Sequence, residues 1–427
     1  MRKRELEEYI QETMRDKHIP GVSMAISHSG KVIYAKGFGF RDLENREAVT
    51  PETIFGTASV TKSFTGMAIM KLEEEGILSV HDPVTKYLPE WKLEEVEDME
   101  NITIAHLLSH TTGLPPLSRR EELNQFCEHI DYLNGEKVEM LGKPGEYFSY
   151  CNDSFLLLGA IIERVTGKLF RRYLTESILV PLQMNRSTFS LEEVEKFHNV
   201  SVPYEYNTKS ETYVKQEWPT LGNYEVGGGI RSNVLDLLTY GEQYITETPI
   251  VAREHLQEMW QPFIRVHDDT YYGYALTTTN YSHGLTLVEH GGGQPGVSSY
   301  FGLVPEKQLV VAVLTNVSGA PSSDLWLAGV NAVLDFPIKQ TRREDTSYNG
   351  NLDSRIDGDY HSAEGGSITI KNGKTITIEE ATYRLQPTGK DSFISEQNIP
   401  LRFFYKNQSD HPWAVLFGFR MLRRVGE

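Results

Sequence analysis

A serine and a lysine stand three residues apart at the start of an apolar stretch, as Ser59 and Lys62 in the tetrapeptide Ser-Val-Thr-Lys. In a helix, residues at i and i+3 share a face, so the Lys62 amine could reach the Ser59 hydroxyl. The apolar residues that follow predict burial, which disfavours a charged amine and would make Lys62 a base near neutral pH. Backbone N–H groups at the helix start would stabilise the oxyanion that forms when a serine attacks a carbonyl. The pair predicts a nucleophile and its base.

Taken alone, a Ser-x-x-Lys tetrapeptide is a weak signal, since Ser59 could simply cap the helix while Lys62 extends to solvent. Two further motifs favour the catalytic interpretation. Tyr150 and Asn152 form a Tyr-x-Asn motif just before an apolar helical segment, and His290 begins a His-Gly-Gly-Gly motif ahead of predicted strands.

The order of these three motifs resembles that of the serine β-lactamase and penicillin-binding-protein superfamily, in particular its class C-like or CubicO branch. Residues 107–115, 181–184 and 227–232 are similar to further landmarks of that branch. The resemblance covers roughly residues 18 to 335. Several motifs in the same order are far more specific than any one of them.

The resemblance implies a role for each matching position. Ser59 would be the acylated nucleophile, with Lys62 and Tyr150 sharing the proton that it loses. An ammonium beside Tyr150 would lower the pKa of its phenol. Asn152 would hydrogen-bond the substrate's amide or orient Lys62, and the backbone N–H groups of Ser59 and Gly293 would form the oxyanion hole.

His290 departs from the superfamily pattern, because many relatives have the lysine of a Lys-Thr-Gly motif there. A histidine at this position resembles the D-aminopeptidases and CubicO-type peptidases of the branch. We expect His290 either to assist proton transfer, with a pKa near neutrality, or to orient the Tyr150 hydroxyl. The alternative is a loop histidine in a glycine-rich bend.

The resemblance implies a serine peptidase or amidase that acts through an acyl-enzyme on short peptides, including those with D-residues. An esterase or a β-lactamase on the same scaffold is an alternative. A peptide-binding protein without catalytic activity is another, although the intact motifs argue against it. The choice between endo- and exo-cleavage stays open.

Other residues that could do chemistry are interpreted as structural. Cys151 is expected to be a packing residue. His106 and His110 are four apart on a predicted helix, which suits zinc, but no third ligand accompanies them. Gly227 to Gly229 predict a tight turn lining the cleft, because the residues of a phosphate-binding loop are missing. We therefore expect no metal and no cofactor.

Composition narrows the classes of partner. The chain has 427 residues with 39% hydrophobic and 24% charged, which is typical of a folded protein. A formal net charge of -17 disfavours nucleic acid and anionic membranes as partners. Two cysteines are too few for a disulfide framework, and neither a secretory signal nor a membrane-length apolar run is visible. The sequence predicts a cytoplasmic protein.

The elements that must position the motifs come from both ends of the first 338 residues. Strands are predicted at residues 22–26 and 31–35, and again at 298–304 and 309–314, with helices at 5–17 and 325–334. Helices are predicted between them at 60–75, 104–109, 155–165 and 234–244. This order predicts an α+β fold, a β-lactamase-like antiparallel sheet flanked by helices with an all-helical insertion.

The residue composition and the pattern of apolar residues change after residue 338. Residues 339–351 are polar and turn-rich and predict a linker. Strictly alternating apolar residues then flank Asn372-Gly373, a strong hairpin signal. We predict a catalytic domain at 1–338 and an all-β domain at 352–427, a small barrel because closure removes exposed strand edges. By resemblance to CubicO-type peptidases, the barrel would be lipocalin-like and the protein a homo-oligomer.

Overall fold

The computed structural model describes residues 1–94, 96, 99–342, 348, 354–406 and 409–426. The helices are α1 Lys3–Asp16, α2 Thr61–Glu74, α3 Val84–Tyr87, α4 Ile104–Leu108, α5 Phe126–Gly135, α6 Asn152–Thr166, α7 Phe170–Leu174, α8 Leu191–Val194, α9 Glu225–Gly228, α10 Val234–Glu242, α11 Arg253–Met259 and α12 Ser322–Leu334. In the part of the chain that is described, no helix is both long and apolar enough to cross a membrane.

A nine-stranded antiparallel sheet forms the centre of the first part of the chain. The strands up to residue 315 are β1 Gly21–His28, β2 Lys31–Asp42, β3 Glu47–Ala48, β4 Phe55–Gly56, β5 Tyr204–Asn207, β6 Thr212–Lys215, β7 Arg231–Ser232, β8 Ile264–His267, β9 Thr270–Tyr272, β10 Thr277–Tyr281, β11 Leu285–Gln294, β12 Val297–Val304 and β13 Leu309–Thr315. The sheet has the order β3-β2-β1-β13-β12-β11-β10-β9-β8.

The pairing of β1 with β13 joins the two ends of the fold, with Val22 opposite Thr315 and His28 opposite Leu309. This confirms the prediction of one sheet closed by distant segments. Helices cover both faces: α1 and α12 pack on one, and α2 and α10 on the other. Because both faces are covered, every residue of β13 is buried, and this strand shows no polar alternation.

The middle of the chain is mostly helical but not all-helical, so that part of the prediction is wrong. Strands β5 and β6 form a hairpin, and β4 pairs with β7. In the hairpin turn, the Asn207 side chain accepts hydrogen bonds from the backbone N–H groups of Lys209 and Ser210. Such side-chain turns favour a hairpin over continued helix.

The C-terminal residues form a closed antiparallel barrel, as predicted. Its strands are β14 Gly358–Ser362, β15 Gly366–Lys371, β16 Thr375–Ile378, β17 Ala381–Pro387, β18 Ser392–Ser395, β19 Pro400–Phe404, β20 Ala414–Phe417 and β21 Arg420–Arg424. Asn372 and Gly373 both have positive φ, 56° and 58°, as the tight turn between β15 and β16 requires. The alternating Ile368, Ile370 and Ile376 fill the barrel core.

Most of the predicted linker lies outside the described residues, since 343–347 and 349–351 are among those not described. The division of the chain at 338 and 352 therefore stays a prediction. Where the linker is described, it is anchored: Arg342 donates to both carboxylate oxygens of Glu289 on β11, at 3.0 and 2.9 Å.

The barrel packs on the first part of the chain through a shared apolar cluster, here named the barrel interface. Its buried members are Leu141, Phe148, Tyr150, Val266, Tyr272, Trp413, Ala414, Leu416 and Met421. The turn between β20 and β21 reaches furthest, because the Phe419 carbonyl accepts from the backbone N–H of Tyr150 at 2.8 Å. The barrel therefore touches one of the three predicted catalytic motifs.

Candidate active site

The nucleophile motif lies at a sharp turn between β4 and α2. Residues Ala58–Val60 form a single 3-10 turn before α2, and Ala58 has a φ of 45° although it carries a Cβ. Backbone strain of this kind is concentrated at functional sites, where the surrounding structure maintains it. The residue at the N-cap of α2 is Val60, and no side chain caps the helix. Ser59 therefore does not cap helix α2, which was the alternative to a catalytic role.

Lys62 is buried beside the Ser59 hydroxyl. Its side chain is 1% exposed, and its Nζ lies 3.4 Å from Ser59 Oγ, 2.9 Å from Asn152 Oδ1 and 3.1 Å from the Gly227 carbonyl oxygen. Burial lowers the pKa of Lys62 to about 7. The lysine does not extend to solvent, and its amine is a base suited to neutral pH.

Tyr150 and Asn152 are placed at the start of α6 and meet Lys62 there. The Lys62 Nζ lies 4.9 Å from the centre of the Tyr150 ring. The Tyr150 hydroxyl is buried and has no hydrogen-bond partner among the described residues. Burial raises the pKa of Tyr150. The nearby Ser59 hydroxyl and the charges of Arg420 and Arg119 lower this pKa, but by less than burial raises it. The expected lowering of the Tyr150 pKa is therefore wrong, because burial outweighs the neighbouring charges.

His290 lies on β11 and is engaged at both ring nitrogens. Its Nε2 accepts from the Tyr272 hydroxyl at 3.1 Å, and its Nδ1 donates to the Gly291 carbonyl at 2.7 Å. Burial, and then the charge of Lys62, lower the pKa of His290 to about 3. The ring centres of Tyr150 and His290 are 6.3 Å apart. The structure thus contradicts the expected pKa near neutrality and pairs His290 with Tyr272, not with the Tyr150 hydroxyl.

The glycines after His290 let β11 run close to the nucleophile. A Cβ on Gly292 would lie 2.3 Å from the Thr57 carbonyl oxygen and 2.9 Å from the backbone nitrogen of Ser59. Gly293 lines the cleft together with Ser59, and a Cβ there would meet nothing within 4 Å. Both backbone donors predicted for the oxyanion hole therefore border one cleft, and that role stays a prediction.

Gly227 also lines this cleft, but the predicted tight turn at Gly227 to Gly229 is wrong. Gly227 and Gly228 lie in the short helix α9. A Cβ on Gly227 would lie 2.6 Å from the Lys62 Nζ, so a larger residue there would displace the lysine amine from its present position. The helical conformation follows from the preceding 3-10 turn Gly222–Tyr224, which α9 continues.

His110 lies beside Tyr150, although the sequence predicted only a structural role for it. Helix α4 ends at Leu108 and His110 has a φ of 55°, so His106 and His110 are not a helical pair as predicted. The His110 Nδ1 accepts from the backbone N–H of Cys151 at 3.2 Å, and its ring centre is 4.2 Å from that of Tyr150. Burial lowers its pKa well below the usual value. The sequence feature that could have indicated its place near the site is its position in the segment 107–115, which is similar to a landmark of the superfamily branch.

The remaining predictions concern metal and thiolate chemistry. Burial raises the pKa of Cys151, which suits the packing role predicted for it. Among the described residues, the side chains grouped closely enough to hold a metal ion are Glu73, His255 and Glu258. That group contains none of the predicted site residues.

Three charged residues at the cleft carry no sequence motif. Glu364, in the barrel, accepts from Asn152 Nδ2 at 2.6 Å. Its carboxylate also lies 3.4 Å from Arg420 Nε and 3.8 Å from Arg119 Nη1. Glu364 and Arg420 lie more than 200 residues after Asn152 in the sequence, and the docked barrel brings them to it.

Comparison with known proteins agrees with this geometry. Protein flp of Staphylococcus aureus (strain MW2) is 30% identical over 325 residues, covering 74% of this chain and 63% of that protein. The chain thus spans less than two thirds of the length of that curated relative. The octameric penicillin-binding protein homologue from Pyrococcus abyssi is similar in structure, with a TM-score of 0.76, 31% identity and coverage of 99% and 100%.

A second solved structure, SurE with D-Leu, has a TM-score of 0.75 at 20% identity and covers 99% of each chain. At that identity the likeness concerns the fold alone. The sequence model of the family described as Beta-lactamase matches residues 6–333, which include all three motifs. Because that match covers most of the chain and its motifs converge on one cleft, the chain belongs to the Beta-lactamase family, with the fold of the serine β-lactamases and penicillin-binding proteins.

Proposed function

We propose that this chain is a serine peptidase or amidase that acylates Ser59 with short peptides. The observation that carries the proposal is the contact between Lys62 Nζ and Ser59 Oγ, 3.4 Å apart, around an amine whose pKa is lowered to about 7. A neutral amine at this distance can take the serine proton.

In this mechanism the Ser59 Oγ attacks the substrate carbonyl carbon while Lys62 takes its proton. The backbone N–H groups of Ser59 and Gly293 stabilise the oxyanion. The proton passes through the Tyr150 hydroxyl to the leaving nitrogen, which departs as an amine. Water then attacks the acyl-enzyme, returns Ser59 and releases the acid.

His290 has a different role in this proposal from the one expected. A neutral imidazole held by Tyr272 and Gly291 does not carry protons at neutral pH, because burial disfavours its charged form. We assign His290 to positioning β11, which brings Gly293 to the cleft.

The substrate class and the assembly rest on analogy. The SurE structure with D-Leu supports testing D-residue peptides. The octameric homologue supports a homo-oligomer, which sedimentation velocity would test. A cytoplasmic location stays a prediction from the sequence.

The test compares wild type, Ser59→Ala and Ser63→Ala with D- and L-alanyl anilides, the matching esters and a mixed-chirality peptide. A fluorophosphonate reports directly on the serine. Ser63 is a matched control on the same helix, since its hydroxyl donates to the Val60 carbonyl. We expect Ser59→Ala to lose about 10⁴-fold or more in turnover, and the label to appear on Ser59 in wild type and Ser63→Ala. Turnover that survives in Ser59→Ala would refute the proposal.

A further inference from the structure

The barrel places a carboxylate against Asn152, one of the residues that line the cleft. Glu364 lies between β14 and β15, and its side chain is 10% exposed. Its Oε1 accepts from Asn152 Nδ2 at 2.6 Å, a short, charge-assisted hydrogen bond. Asn152 in turn touches the base, because its Oδ1 accepts from Lys62 Nζ at 2.9 Å. One amide thus links the barrel to the lysine.

The chemistry of the two partners fixes the direction of that amide. A carboxylate accepts hydrogen bonds and does not donate, so Glu364 can bind only the NH2 end of Asn152. The oxygen end must then face Lys62, as observed. Without Glu364, the amide could rotate by about 180° and present its NH2 group to the lysine, which an ammonium would repel.

We propose that Glu364 is a positioning residue of the acylation site, which holds the Asn152 amide with its oxygen on Lys62. The inference rests on the proposed function, because it concerns the base that activates Ser59. It extends the catalytic machinery to the barrel, which would otherwise be regarded as a separate module.

Contacts around the cleft hold the β20–β21 hairpin against the Tyr-x-Asn motif, and Arg420 of that hairpin lies 3.4 Å from the Glu364 carboxylate. The backbone N–H of Tyr150 donates to the Phe419 carbonyl at 2.8 Å, and Ser149 Oγ accepts from the backbone N–H of Met421 at 3.2 Å. Barrel residues therefore bind the backbone of the Tyr-x-Asn motif as well as its asparagine. A barrel docked in this way can hold the Glu364 carboxylate in an orientation that a mobile element could not.

Glu364 also contributes charge at Lys62. The charged groups that face the lysine are Glu364 and Arg420 from the barrel and Arg119 from the body, of which Glu364 raises its pKa and both arginines lower it. Cys151 also raises it. The neighbouring groups Tyr150, His110 and His290 have pKa values shifted by burial toward their neutral forms. The pH dependence of acylation therefore reports on the Glu364 charge.

The experiment measures the rate constant of Ser59 labelling by a fluorophosphonate as a function of pH. It uses the full chain as wild type, Glu364→Ala and Glu364→Gln. Glutamine keeps an acceptor for Asn152 but removes the charge. The control is Glu396→Gln, an exposed barrel carboxylate that accepts from the Arg384 backbone. Circular dichroism checks that each variant is folded.

We expect Glu364→Ala to label at least about tenfold more slowly, as for a lost hydrogen bond to a charged group. Glu364→Gln should label at nearly the wild-type rate, with the midpoint of its pH profile moved to lower pH. Glu396→Gln should match wild type in both. Glu364 variants with the wild-type rate and midpoint would overturn this inference alone, whereas a wild type not labelled at Ser59 would overturn the proposed function.

Discussion

Lys62 is subject to two opposing influences. Burial disfavours its ammonium form, while three oxygen acceptors around Nζ favour it. The result is a pKa lowered to about 7, so the amine is close to half neutral at the pH of most cellular compartments. A group with this pKa exchanges protons efficiently in both directions of an acyl transfer.

Acylation should therefore accelerate as the pH rises through about 7, where Lys62 loses its proton. The other groups in the site do not produce this change, since the pKa of His290 is lowered to about 3 and that of Tyr150 is raised. The measurement is kcat/KM for an anilide or ester from about pH 5 to about pH 9. Lys62→Arg, which stays charged, should lose about 10²–10⁴-fold. A profile that is flat or falls over this range would contradict the assignment.

The sequence predicted that Lys62 lies beside Ser59, but it did not predict the protonation states of Tyr150 and His290. Ser59 and Lys62 are adjacent because helical spacing is local. The pKa directions of Tyr150 and His290 depend on burial by other elements, including the barrel, and the expectation failed for both. Glu364 had no motif at all, because its role depends on where a distant loop docks.

At the scale of elements, the candidate site depends on how closely β11 approaches the start of α2. The Ser299 hydroxyl on the neighbouring strand β12 donates to the Thr57 carbonyl at 2.6 Å, which fixes the sheet against the nucleophile turn. Because Gly292 has no side chain, β11 can approach the backbone of Thr57 and Ser59 this closely. Its neighbour Gly293 has open space instead, so the two glycines form a natural pair for comparison.

We expect Gly292→Ala to lower the free energy of unfolding by about 1–3 kcal/mol, the usual cost of overpacking. The new Cβ would meet backbone atoms of Thr57 and Ser59, which cannot rotate away. Fluorophosphonate labelling of Ser59 should also slow. Gly293→Ala is the stability control, since its Cβ would meet nothing within 4 Å. Equal stability of the two variants in urea denaturation would show that the approach of β11 is looser than described.

Element prediction succeeded where patterning is strong and failed where it is weak. The four predicted sheet strands and the helices at both ends were confirmed, with boundaries shifted by up to three residues except for β2, which continues to Asp42 instead of ending at Ala35. Strands β8 to β10 were missed because they are short, with three to five residues each, and β9 and β10 consist almost entirely of Thr and Tyr. Their apolar pattern is weak, so their position at the sheet edge was not visible.

At the scale of the whole molecule, an ion pair with a buried carboxylate anchors the chain after the nine-stranded sheet. The Glu289 side chain is 3% exposed and that of Arg342 is 21% exposed. The guanidinium also lies 5.7 Å from the centre of the Trp326 ring. Arg342 lies within the predicted linker 339–351, so this pair anchors that part of the linker to β11.

Arg342→Met should lower the free energy of unfolding by about 3 kcal/mol, because it leaves the buried Glu289 carboxylate without this partner. Methionine preserves the apolar part of the side chain. The control is Arg4→Met, whose pair with Glu8 is exposed and should contribute little to stability because solvent screens it. Urea denaturation followed by tryptophan fluorescence measures both. A loss no larger than that of the control would mean that the Glu289 carboxylate is compensated in another way.

The sequence predicted a barrel but not how it docks. Alternating isoleucines and the Asn372-Gly373 turn were sufficient for the hairpin and, with the strands that follow, for closure. The barrel interface combines apolar residues from four separate stretches of chain, and each stretch alone resembles ordinary core. Nothing local distinguishes an outward-facing apolar strand residue that packs on another domain from one that packs inside.

The barrel interface holds the two parts of the chain together even without the peptide that connects them. Its apolar cluster and the backbone bonds at Tyr150 and Ser149 join the two parts independently of the polypeptide between residues 342 and 354. A protease cut in that stretch would leave every one of these contacts intact. The protein is thus suited to fragment complementation: the two pieces, produced separately, would each expose a matching apolar surface and restore the active site only on association.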